Sequence, residues 1–78
     1  MKGYILIETA VGKSKDVVSG LQDLKLKEIK SVDLVTGPYD VIAVMEHDDI
    51  GAIELLVINT IHPVPGVLRT VTCLSFRI

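Results

Sequence analysis

The sequence predicts an α+β fold of six elements, in the order strand, helix, strand, strand, helix, strand. Three observations carry that reading. Residues 4–7 and 41–45 are short apolar runs rich in β-branched or aromatic side chains, whereas residues 28–36 and 68–76 alternate with period two. Between them, residues 14–25 and 50–61 repeat their apolar positions at helical spacing. Glycine and proline fall at the joints between these patterns, at Gly12, Gly37-Pro38 and Pro63-Val64-Pro65-Gly66. Strands and helices in this order form the split βαβ, ferredoxin-like unit (βαββαβ), an antiparallel four-stranded sheet with two helices on one face.

Each element has its own warrant. Tyr4-Ile5-Leu6-Ile7 stops at Glu8-Thr9 and reads as the first strand. Val17, Val18, Leu21 and Leu24 then mark one stripe of a helix over about 14–25, with Ser14 expected to cap it and Asp16 in its first turn. From Glu28 to Thr36 the side chains alternate, with Val32 and Leu34 expected toward the core. Gly37-Pro38-Tyr39-Asp40 supplies turn chemistry, and Val41 to Met45 makes the third strand of a hairpin-like pair. Asp48 or Asp49 is placed to cap the second helix, whose stripe is Ile50, Ile53, Val57 and Ile61 and whose end is enforced by Pro63 and Pro65. The last strand alternates Leu68, Thr70, Thr72, Leu74 and Phe76 with Arg69, Val71, Cys73 and Ser75.

Residues 1–78 read as a single domain, without repeats, linkers or low-complexity stretches. A chain this short hides only about 60% of its unfolded surface. Yet 49% of its residues are hydrophobic and its mean hydropathy is +0.49. Two helices can cover one face of a sheet, while the runs 4–7 and 41–45 put apolar groups on both faces. A second copy is the simplest cover, so a homodimer through the open sheet face is expected, with larger rings of dimers, such as an octamer, as an extension.

Net charge is −2, with eight lysines and arginines in all. That balance gives no basic stripe for nucleic acid, and direct DNA binding is not expected. No apolar run reaches the roughly 18 residues of a membrane span, and the start Met1-Lys2-Gly3-Tyr4 lacks a signal-peptide core, so the chain reads as cytoplasmic. The one cysteine, Cys73, is expected to be a buried structural thiol. His47 and His62 have no Cys at metal spacing and no triad-like acid, and His47-Asp48-Asp49 are too close in sequence to converge on one ion. No catalytic site, metal or cofactor is expected.

The chemistry-bearing stretch is Leu34 to Asp40. A turn containing Gly37 exposes backbone N–H groups to an anion, and the Asp40 carboxylate, beside the Tyr39 ring, suits an ammonium group, so together they suit a zwitterion. As a turn residue Asp40 is expected to contribute little to folding. The plain alternative is that these four residues are simply good turn formers.

Val35-Thr36-Gly37-Pro38-Tyr39-Asp40 resembles the strand-loop-strand signature of the Lrp/AsnC effector-binding domain, usually Gly-x-Tyr-Asp or a close variant. Gly66-Val67-Leu68-Arg69-Thr70-Val71-Thr72 is similar to that family's last strand, Gly-Val followed by Arg-Thr-x-Thr, and a helix separates the two segments as in the family. The likeness extends, more loosely, over almost the whole chain. It implies a module that binds an amino acid or related effector where subunits meet, with a response in assembly and transcription. Carried over, Gly37, Pro38, Tyr39 and Asp40 match the loop, with Asp40 for the effector's amino group, and Thr70 and Thr72 match the final strand. Pro38 departs from the pattern by removing a backbone N–H. The chain starts with its first strand, so the family's helix-turn-helix is not expected, and the resemblance implies action alone or by mixing with full-length Lrp/AsnC regulators. Two other readings share this fold: a dimeric α+β barrel enzyme of the monooxygenase type, against which the Val, Leu and Ile helix stripes weigh, and an ACT-like amino-acid sensor, for which Gly12 would have to serve.

Overall fold

The computed structural model of the chain describes residues 1–76, leaving the last two of the predicted domain outside the description. Strand β1 (Lys2–Thr9) leads into helix α1 (Ser14–Asp23), then β2 (Ile29–Leu34) and β3 (Val41–Glu46). Helix α2 (Ile50–Leu56) runs directly into a π turn, Val57–Ile61, and β4 (Val67–Ser75) closes the chain. The sheet order is β2-β3-β1-β4 and all three pairings are antiparallel, which is the ferredoxin-like arrangement.

Period-two alternation sorts the sheet into two faces. Toward the helices β1 and β3 send Ile5, Ile7, Val41, Ala43 and Met45, all fully buried. Val17 and Leu21 of α1, Ile53 of α2, and Val57 and Ile61 of the π turn close over them. Val57 and Ile61, four residues apart, share one face, as helical spacing requires. The His62 N–H donates to the Val57 carbonyl at 2.9 Å, a bond spanning five residues. Sequence periodicity identifies both as core positions but not this π hydrogen bond.

Several local expectations are corrected. Helix α1 ends at Asp23 rather than 25, and Lys25 sits at φ 51°, in the left-handed region that terminates helices. Ser14 does not cap: Lys13 precedes the helix without a side-chain bond, and the Ser14 hydroxyl instead shares a 2.8 Å hydrogen bond with Thr9. Strand β2 is shorter than 28–36 and bulged between Ile29 and Ser31. Val32 packs on the core as expected, but Leu34, on the same face at the strand's far end, lies beyond the helices and is 49% exposed. Cys73 is exposed, because it stands opposite Tyr4 on the face away from the helices. Of the two candidate caps for α2 it is Asp49, whose Oδ1 accepts from the Gly51 N–H at 2.9 Å. The Asp49 N–H in turn donates to Nδ1 of His47 at 2.9 Å.

Loop 62–66 locks the helical layer. Val64 is buried, and a Cβ on Gly20 of α1 would come within 2.8 Å of its side chain, so the helix can approach only at a glycine. Gly66 adopts φ +98° with Lys13 and Val17 3.0 Å from where a Cβ would be, and its carbonyl accepts from the Ala10 N–H at 2.8 Å.

The left-handed backbone of Lys25 carries an energetic cost. A side chain there costs on the order of 1 kcal/mol that glycine avoids. Lys25→Gly should therefore raise stability by about 0.5–1 kcal/mol, seen as a higher urea midpoint at unchanged slope. A lower midpoint would show that the lysine side chain contributes more than its backbone conformation costs.

Candidate functional site

The loop between β2 and β3 is closed by the Val35 N–H donating to the Asp40 carbonyl at 2.9 Å. At its tip Gly37, at φ 137°, and Pro38 are exposed, while Tyr39 and Asp40 are half-buried. The Asp40 N–H donates to the Ile7 carbonyl at 2.9 Å, and its Oδ2 accepts from the Thr9 N–H at 2.8 Å. Thr9, 7% exposed, has the hydroxyl that reaches Ser14. Asp40 is therefore not a bystander to folding: it ties the end of β1 to the start of β3, and through Thr9 to the first turn of α1. A charge-assisted bond of this kind contributes about 1.5–3 kcal/mol, so the expectation of a small folding role is corrected.

Tyr39 leans over the face of the sheet that the helices leave open. The Arg69 guanidinium lies 6.0 Å from its ring centroid, and Arg69 Nη2 is 3.9 Å from Glu8 Oε2. Glu8 and Arg69 are cross-strand partners of β1 and β4. Both are substantially exposed, so the pair orients the loop more than it stabilises the fold.

Thr70 and Thr72 lie elsewhere. In register they stand opposite Ile7 and Ile5, whose side chains are core, so both threonines point to the helix side of β4. Thr70 Oγ1 and His62 Nε2 share a 2.6 Å hydrogen bond. Along this outer side of β4 run two adjoining clefts. One, of about 290 Å³, lies beside Leu68, Arg69 and Val67, the other, of about 220 Å³, beside Glu54, Val57, Ile58 and Thr72, and His62 and Thr70 border both. One subunit therefore brings together Tyr39 and Asp40 on the β2–β3 loop, and separately Thr70 and Thr72 on the helix side of β4. Nothing in the local sequence singles out His62, Glu54 or Thr9. His62 is an exposed residue at the helix end before Pro63, and its ring reaches the Thr70 hydroxyl on β4.

The open face itself carries Tyr4, Leu6, Ile42, Val44, Val71 and Cys73, an apolar surface with no cover from the described residues. No described helix is long and apolar enough to cross a membrane.

No curated protein matches the chain significantly. Among solved structures, TTHA0845 from Thermus thermophilus is similar with 28% identity and a TM-score of 0.87, over 99% of this chain and 94% of that one. FFRP-DM1 is similar with 28% identity and a TM-score of 0.83, over 96% and 97% respectively. The transcriptional regulator NMB0573 of Neisseria meningitidis, solved as an L-Met complex, shares the fold at 19% identity and a TM-score of 0.80, and this chain covers 49% of it. The Lrp/AsnC ligand binding domain matches residues 3–78. With the loop signature, the sheet order and this match over nearly its whole length, the chain belongs to the Lrp/AsnC ligand-binding-domain family.

Proposed function

We propose that this chain is an amino-acid-binding, self-associating module of the cytoplasm that modulates transcriptional regulators rather than catalysing a reaction or reading DNA itself. The observation that carries the reading is the position of Asp40 at the half-buried end of an exposed loop, with Oδ2 held by the Thr9 N–H and the carboxylate open to an ammonium group. The family match and the NMB0573 complex with L-Met support an amino acid as the ligand class. Asp40 sits on the β2–β3 loop and the threonines on the helix side of β4, so a ligand touching both is held at a junction between the loop of one copy and β4 of another. The assembly is at least a dimer through the open face, extending to rings such as an octamer, and it mixes with full-length Lrp/AsnC regulators.

Calorimetry against the common amino acids tests this, and the structure dictates the variants. Asp40→Ala deletes both the charge and the acceptor for Thr9, so it confuses folding with binding. Asp40→Asn retains an oxygen for the Thr9 N–H and removes only the charge. It should remain folded and lose about tenfold or more in affinity, since truncating one partner of a desolvated charge pair costs about 2–5 kcal/mol. Thr72→Val should weaken binding less. No heat with any amino acid, or equal affinity for wild type and a folded Asp40→Asn, would make the loop merely a turn.

A further inference from the structure

We infer that the effector's side chain lodges in the helix-side groove of β4 beside the π turn, and that Glu54 makes the site select against acidic amino acids. This rests on the reading of the chain as an amino-acid-binding module and specifies which half of the site reads the side chain.

The cleft of about 220 Å³ is formed by Glu54 and Ile58 on one lip, Thr70 and Thr72 on the other, with Val57 and His62 between them. Glu54 and Ile58 are four residues apart, so they project from the same side of the helical segment. Val57 is buried, whereas Ile58 is 55% exposed in the single subunit, so the cleft has an apolar wall that solvent still reaches. Such a lining, apolar with a few convergent polar groups, is the usual make-up of a small-molecule site. The π turn builds it: a π turn inside a helix commonly marks a functional position, and here it delivers His62 to Thr70 at 2.6 Å. That bond fixes the imidazole and the Thr70 hydroxyl in place, and Thr72 presents a second hydroxyl one pleat along the strand.

The charges facing the groove decide its preference. Glu54 is the carboxylate on its rim, and His62 is the titratable group beside it. Arg69 borders the adjoining cleft but not this one, and its guanidinium is engaged by Glu8 at 3.9 Å and lies 6.0 Å from the Tyr39 ring centroid. An acidic side chain entering the groove would meet a like charge on its rim, which is how binding sites discriminate against a wrong partner. Uncharged side chains meet Ile58, Val57 and the hydroxyls without that repulsion.

The test is a binding series with all twenty amino acids on wild type, Glu54→Gln and Ile58→Trp, with thermal melts confirming that each variant is folded. Both substituted residues are exposed. Wild type should bind its best ligand about tenfold or more tighter than aspartate or glutamate. Glu54→Gln should gain about fivefold or more for the acids, narrowing their gap to the best ligand, and Ile58→Trp, which fills the cleft, should weaken the best ligand about tenfold or more. An acidic amino acid as best ligand, no gain for either acid in Glu54→Gln, or full binding by Ile58→Trp would overturn the inference while leaving an amino-acid-binding module intact. Silence of wild type toward the whole panel would instead remove the effector reading, and this inference with it.

Discussion

Leu6→Asp should leave the chain folded but monomeric. Leu6 lies near the middle of the open sheet face, paired with Ile42 on one side and Val71 on the other, and it faces away from the helical core. Within one subunit the new carboxylate would be wet and nearly harmless to folding. In a face-to-face dimer each copy would bury it without a partner, at about 3 kcal/mol or more per copy, which together weakens association on the order of 10⁴-fold. Light scattering at micromolar concentration should then give a mass near 8.5 kDa for the variant and at least twice that for wild type. A wild-type monomer under those conditions would leave the apolar face without the cover proposed for it. A variant that remained dimeric would place the interface on another surface.

Ile53→Ala should destabilise by about 2–5 kcal/mol, the usual range for truncating a fully buried aliphatic side chain. Ile53 is 0% exposed and packs where α2 crosses the start of β1, its Cγ2 being 3.4 Å from where a Cβ on Gly3 would lie. With no side chain at Gly3 to fill the space, the neighbouring atoms can collapse only partly into the cavity. Domains of this size have roughly 4–12 kcal/mol of stability in all, so the loss should move the urea midpoint far and leave a measurable unfolded fraction in water. Leu55→Ala, two residues away but 60% exposed, should change stability by no more than about 0.5 kcal/mol. Equal midpoints for the two variants would contradict the burial pattern of α2.

What could be read from sequence followed from periodicity and punctuation. Alternation from Leu68 to Phe76 and the apolar run from Val41 to Met45 located the strands Val67–Ser75 and Val41–Glu46, helical spacing of Val17 and Leu21 located a buried stripe, and an Asp just before Ile50 announced a cap. Contacts between distant residues were not legible. Ser14 has the composition of a cap, but its hydroxyl is used by Thr9 five residues away, across a turn. Residue type alone assigns Cys73 to the interior, whereas strand parity puts it on the uncovered face. At the candidate site the residue types of Gly37, Pro38, Tyr39 and Asp40 mark a turn and a carboxylate. The bond from Thr9 to Asp40, 31 positions apart, leaves no trace in local composition. The placement of Thr70 and Thr72 on the helix side depends on their register with Ile7 and Ile5, which only strand pairing can fix.

The Pro63-Val64-Pro65-Gly66 clamp has a consequence for the entropy of ligand capture. Val64 is buried against Gly20, its N–H donates to the Ile61 carbonyl at 3.1 Å, and its own carbonyl accepts from the Val67 N–H at 3.1 Å. Two prolines and these bonds leave the segment between the π turn and β4 few alternative conformations. His62 is the first residue of that splinted segment, so its position beside Thr70 is set during folding rather than when a ligand arrives. An amino acid bound there as proposed would immobilise little that was free beforehand, and more of its contact energy would remain as affinity. The β2–β3 loop is tied at its base by the Val35, Asp40 and Thr9 bonds, so at the proposed junction the residues left to be ordered would be those of its exposed tip, Gly37 and Pro38.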